Sequence, residues 1–173
     1  MHTITLPNTL KIGAGAKASL PDLLQQLGCQ RPLIISDQTM VALGHVEKLQ
    51  DYLADGPINT FTDTMAEPND LSLLPALELA KNSQCDGLIA LGGGSVIDSA
   101  KAIALLASHG GPIERYKAPD INTKASIPVI AIPTTAGTGS EVTAVTVITN
   151  SATGEKMLCM GPGLMPTAAI IDF

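Results

Sequence analysis

Tryptophan is absent from the 173 residues, and two tyrosines and two phenylalanines make up the whole aromatic content of 2%. Single-stranded nucleic acids are held by stacking bases on aromatic rings, so the composition argues against that class of binder. Basic residues are also scarce. Ten Lys and Arg stand against 16 Asp and Glu, for a net charge of −6. A surface that binds duplex DNA has the opposite sign, so nucleic acid is not an expected partner. Charge of either sign is low, at 15%, while 45% of the residues are hydrophobic. Disordered chains show the reverse balance, so a packed core is expected, of a size that suits one domain, 1–173.

Other absences narrow the setting. No apolar run reaches the ~18 residues of a membrane helix; the longest candidate, 99–107, is interrupted by Lys101. The start, MHTITLPNTLKIG, lacks a basic segment followed by an apolar one, so no export signal and no membrane partner are expected. Cys29, Cys85 and Cys159 are odd in number, far apart and free of any CxxC pairing, which fits buried thiols better than a disulfide framework. A soluble, cytoplasmic protein is the expectation. His2, His45 and His109 form no HxxxH or HExxH pattern, so no metal site is expected in these residues.

What is present is an alternation. Helical patterns over 16–28, 40–54, 70–83 and 95–108 are separated by short apolar runs at 33–35, 60–61, 88–91 and 129–132. Such runs suit strands buried on both faces, and their alternation with helices predicts an α/β fold, a Rossmann-like parallel sheet with flanking helices. After Pro133 the pattern changes. The β-branched stretch 142–149, turn residues at 150–154 and the stretch 156–160 predict a β-hairpin appended to the sheet, and 168–171 a last short strand.

Three loops carry chemistry. Gly92, Gly93 and Gly94 follow the apolar strand and run straight into a helix, with Ser95 as N-cap and Asp98 completing a capping-box-like arrangement. Glycines let a ligand approach the backbone, and the exposed N–H groups of a helix start suit a diphosphate. A plain strand–turn–helix is the alternative. The segment Gly13-Ala14-Gly15-Ala16-Lys17-Ala18 matches GxGxxA, with Asp37 following 24 residues after Gly13, but the residues before it are polar and contain Pro7 and Asn8, a poor strand. Asp37 itself stands just beyond the strand at 33–35. A carboxylate there can accept both ribose hydroxyls of an adenosine and repel a 2′-phosphate, favouring NAD over NADP, or it can simply cap the next helix. The loop 133–141, with Thr134, Thr135 and Thr138, offers hydroxyls and backbone amides as a polar nest. Lys156 is a lone cation at the hairpin return, either solvated or reaching an anion.

The strings LGGGSVIDSAK (91–101) and IPTTAGTGSEVT (132–143), in this order, resemble the iron-containing (group III) alcohol dehydrogenase family. The resemblance covers essentially the whole chain. It implies that the Gly92-Gly93-Gly94-Ser95 loop, rather than Gly13–Ala18, holds the NAD diphosphate, with Asp98 among the cofactor-binding residues. It places Asp37 on the adenosine ribose, Thr134, Thr135 and Thr138 on the cofactor-lining loop, and Lys156 toward the nicotinamide. Asn69 matches an asparagine of the family's Pro-Asn-Pro segment, here Pro68-Asn69-Asp70. The family holds a divalent metal, iron or zinc, with one Asp and three His of a C-terminal helical domain. Its first ligands sit in a motif like GxDAxxHAxE that these residues do not contain; Asp172 matches the earlier Asp-Pro step, with Phe173 in place of Pro. The implied function is NAD-dependent oxidation of a small alcohol or reduction of an aldehyde, this chain being the cofactor-binding half, inactive by itself. Glycerol dehydrogenase and maleylacetate reductase are alternatives within the superfamily, and a non-catalytic nucleotide-binding module is an alternative from another class. A homo-oligomer is expected, since a cleft between two domains leaves apolar surface on either half.

Overall fold

A computed structural model describes residues 6–53 and 58–173. Six strands form one parallel sheet: β1 (Thr9–Ile12), β2 (Pro32–Ile35), β3 (Asn59–Phe61), β4 (Gly87–Gly92), β5 (Val129–Pro133) and β8 (Ala168–Ile171). Their order is β1-β8-β5-β4-β2-β3. The four residues of the segment 9–12, which read as too polar for a strand, make β1. It lies at the sheet edge with three of its four residues exposed, and an edge strand needs no apolar run.

Successive residues of the inner strands feed two cores. Ile34, Ile89, Leu91, Ile130 and Ile132 meet one set of helices, α1 (Leu20–Leu27), α2 (Gln38–Ala42) and α3 (His45–Asp51). Leu33, Ile35, Leu88, Ala90 and Ala131 meet the other, α4 (Leu74–Asn82) and α5 (Gly94–His109). Both faces are covered, which is why the strands read as unbroken apolar runs.

The helix expected over 40–54 is instead two. Gly44 adopts φ of +70° between α2 and α3, a left-handed turn that a glycine makes without strain; the end of that expected span, residue 54, lies outside the described residues. The helix expected over 70–83 begins later, because Asn69 and Ser72 bond each other's backbone in a turn ahead of α4. Residues 16–19 form a 3₁₀ turn before α1.

The hairpin consists of β6 (Val145–Thr149) and β7 (Lys156–Met160), closed through Asn150 and Glu155 as expected. It is not appended to the parallel sheet as expected but forms its own two-stranded antiparallel sheet, because its apolar face packs on α5 rather than pairing with an edge strand. Ile148, Met157 and Cys159 point into the core that α5 shares. Ten of the sixteen residues of α5 are buried, because parallel sheet and hairpin enclose the helix between them. Under α5 the strands present Ala90, Ala131 and Ala169, register-matched across β4, β5 and β8. Small residues there let the helix seat close to the sheet.

Candidate nucleotide-binding site

The carboxyl ends of β2, β3, β4 and β5 open on one side of the sheet, around the first turn of α5. Gly93, extended at φ −78° and ψ −171°, precedes the helix, and its carbonyl accepts from the amides of Val96 and Ile97. The amides of Gly94 and Ser95, in the first turn, have no helical acceptor behind them. Gly94 is there for close approach: a Cβ on it would lie 2.8 Å from Thr138 Cγ2 and 3.0 Å from Thr138 Oγ1. Any side chain at 94 would push the third loop away from the helix start.

Ser95 does not cap α5. Gly93 holds the N-cap position, and the Ser95 hydroxyl donates to the carbonyl of Ala66, fastening the segment after β3 to the helix. The capping box with Asp98 is therefore not formed. Asp98 faces the hairpin: its Oδ2 accepts from the Val147 amide at 3.1 Å, and its own carbonyl accepts from Thr146 Oγ1 at 2.8 Å. Ser95 and Asp98 take more distant partners, the segment after β3 and the hairpin respectively, in place of the local cap.

Asp37 caps α2, with Oδ1 accepting from the Met40 amide at 2.9 Å. A cavity of about 660 Å³ runs from Asp37 and Thr39 across Gly93 and Ser95 to Thr134 and Thr135. A second, of about 620 Å³, continues past Asp98 and Thr138 to the hairpin and Lys156. The two share Ala66, Gly94 and Ser95, so they form one crevice lying across the start of α5. Lys156 Nζ stands 3.8 Å from Glu67 Oε1 at the rim, both side chains being well exposed.

Nine of the eleven residues singled out in the sequence thus line one crevice. Gly92 and Asn69 do not line it. Gly92 ends β4, and its carbonyl anchors the third loop by accepting from the Thr134 amide at 3.0 Å. Asn69 Oδ1 accepts from the Ser72 amide at 2.8 Å, inside the turn before α4.

The competing GxGxxA loop does follow a strand, but its amides are taken. Gly15 and Lys17 donate to the two oxygens of Asp172, at 3.0 and 2.8 Å. A carboxylate of the chain itself occupies that nest, at the far edge of the sheet.

Three features escaped the sequence reading. Lys101, noted only as an interruption of an apolar run, is buried to 1% exposure. Its ammonium donates to the carbonyls of Thr143 and Val145, at 2.8 and 2.7 Å, and lies 3.9 Å from Asp98 Oδ1. Burial pushes Lys101 down to about 8, against the pull of Asp98 and Glu141. Burial also raises the Asp98 carboxyl, partly countered by Lys101. Thr143, Val145 and Val147 form the hairpin wall of the crevice. The segment after β3 supplies Asp63, Thr64 and Met65; the rule that ligands gather at strand carboxyl ends could have pointed to it.

The family model of iron-containing alcohol dehydrogenases matches residues 7–173. The chain belongs to that family. It is 36% identical to the NAD-dependent methanol dehydrogenase of Bacillus methanolicus over 99% of its own length and 46% of that protein's. A 1,3-propanediol oxidoreductase structure superposes with a TM-score of 0.93 at 31% identity, over 99% of this chain and 46% of the other. The sulfoacetaldehyde reductase of Bifidobacterium kashiwanohense, solved with NAD+, gives 0.91 and 31% over the same shares. The chain therefore spans about half the length of the relatives it matches. The fold of this chain is the family's Rossmann-like α/β fold. Among the described residues, no group of three His, Cys, Asp or Glu is placed to hold a metal ion. None of the helices among them is long and apolar enough to cross a membrane.

Proposed function

We propose that these residues form one domain that binds NAD, serving hydride transfer between the nicotinamide and a small alcohol or aldehyde. The observation that carries the reading is the continuous crevice across the start of α5, with a carboxylate at one end and the hairpin at the other. Its parts suit the parts of the cofactor. Asp37 keeps Oδ2 for the ribose hydroxyls while Oδ1 caps α2. The first-turn amides of α5 and the hydroxyls of Thr134, Thr135 and Thr138 hold the diphosphate. The hairpin wall and Lys156 take the nicotinamide end. Bound NAD supplies the hydride acceptor; the chain's own residues orient it and keep its face against the hairpin.

The relatives named for methanol, 1,3-propanediol and sulfoacetaldehyde support a small alcohol or aldehyde as substrate. A divalent metal on which the alcohol oxygen would be polarised finds no ligand set among the described residues, so no step is derived through it. The proposal extends to a soluble, self-associating protein.

Fluorescence titration of NADH tests the reading. The wild-type chain is expected to bind NADH and to discriminate against NADPH. Asp37→Gly is expected to weaken NADH binding roughly tenfold, the effect of losing charge-assisted hydrogen bonds, and to admit NADPH. NADH affinity and selectivity both unchanged by the substitution would remove Asp37 from the ribose.

A further inference from the structure

Asp37 is not alone at its end of the crevice. Asp63, beyond the carboxyl end of β3, lines the same cavity. The register pairs Ile35 with Phe61, so β2 and β3 end side by side. The chains beyond them are laced together: the Ser36 amide donates to the Phe61 carbonyl at 2.8 Å, and the Thr64 amide to the Ser36 carbonyl at 3.3 Å. Gln38, the residue after Asp37, completes the lacing. Its Nε2 donates to Asp63 Oδ1 at 2.9 Å and to Thr62 Oγ1 at 3.0 Å. A side chain adjacent to the ribose-binding carboxylate thus holds a second carboxylate in place. Among the described residues, no Lys, Arg or His lines this cavity. Thr64 Oγ1, on the same wall, is out of water and has no partner among the described residues.

Two fixed carboxylates without a facing cation make a site for a neutral diol and a poor site for an added phosphate. A 2′-phosphate brings between one and two further negative charges at neutral pH, as phosphomonoesters do. We propose that Asp63 is a second determinant of nucleotide selectivity, acting through space beside Asp37 to exclude a ribose 2′-phosphate, with Gln38 as its tether. The proposal rests on the NAD reading of the crevice.

The experiment is a four-way comparison of wild type, Asp37→Gly, Asp63→Asn and the double variant, reading the ratio of the NADPH and NADH dissociation constants. Asparagine keeps the size of the side chain and an acceptor for Gln38. Removing the charge at 63 is expected to lower the ratio roughly three- to tenfold, in the wild-type background and again in Asp37→Gly, for charges near a protein surface. That gain is expected to fade as salt rises from about 0.05 M to about 1 M, because the screening length falls to roughly 3 Å. A ratio unchanged by Asp63→Asn in both backgrounds, or changed equally at all salt concentrations, would overturn the role of Asp63 while leaving the NAD reading intact. No NADH binding by wild type would overturn both.

Discussion

At the scale of single residues, the crevice depends on what is missing from Gly94. With Thr138 Oγ1 3.0 Å from where a Cβ would stand, Gly94→Ala forces the threonine loop outward. The expected result is a loss of NADH affinity of roughly tenfold, while stability in urea shifts by about 1 kcal/mol or less, since alanine suits a helix better than glycine. Unchanged affinity would mean that the loop and the helix start do not act together. The glycine string itself was plain in the sequence, and so was the place of Asp37 beyond a strand end, where it caps α2. The partner choices of Ser95 and Asp98 were not. Local spacing suggested a capping box, but which partner each side chain takes was decided by the Ala66 carbonyl and the Val147 amide, 29 and 49 residues away. A hydroxyl that looks like a cap is in fact the rivet of a more distant segment.

At the scale of elements, α5 is the piece on which the others converge. Its alternation with strands was legible because both faces of the sheet are buried, and the hairpin was legible from its β-branched run and turn. That the hairpin closes over α5 was not legible, since the only sequence trace is one lysine in an apolar helix. Lys101 pins the helix to the entry of β6 and fixes the wall of the crevice. It also sets a pH dependence. Its native value of about 8 is below the ordinary lysine value of about 10.4 in the unfolded chain. Between these values the unfolded chain holds the proton and the native chain does not, so the lysine's contribution to stability increases as pH rises through that window and is flat below it. Denaturant unfolding at both ends of the window should show wild type gaining roughly 3 kcal/mol more than Lys101→Met. Equal pH slopes in the two proteins would show that the ammonium is not desolvated as the burial implies.

At the scale of the whole molecule, the sheet puts binding and its frame in different places. The crevice sits over β2, β3, β4 and β5, while the edge at β1 and β8 holds no part of it. The strand β1 was overlooked because its residues are exposed; it pairs with β8, and the loop that leaves it is fastened by the Asp172 carboxylate at Gly15 and Lys17. Asp172→Ala is expected to speed amide hydrogen exchange at Gly15 and Lys17 roughly tenfold, through local opening, and to leave β4 and β5 protected as before. Faster exchange across the entire sheet would instead make that carboxylate a support of the global fold.

The pairing of β1 with β8 has a consequence in time. Ile12 meets Ile171, the last residue of β8, and β1 has no other neighbour in the sheet among the described residues. On a ribosome adding about 5–20 residues per second, β1 waits on the order of ten seconds for the strand that receives it. Until then its N–H and C=O groups stand open while the centre of the sheet can already assemble. Through that interval β1, with Lys11 between the exposed Leu10 and Ile12, remains an open edge that only β8 closes.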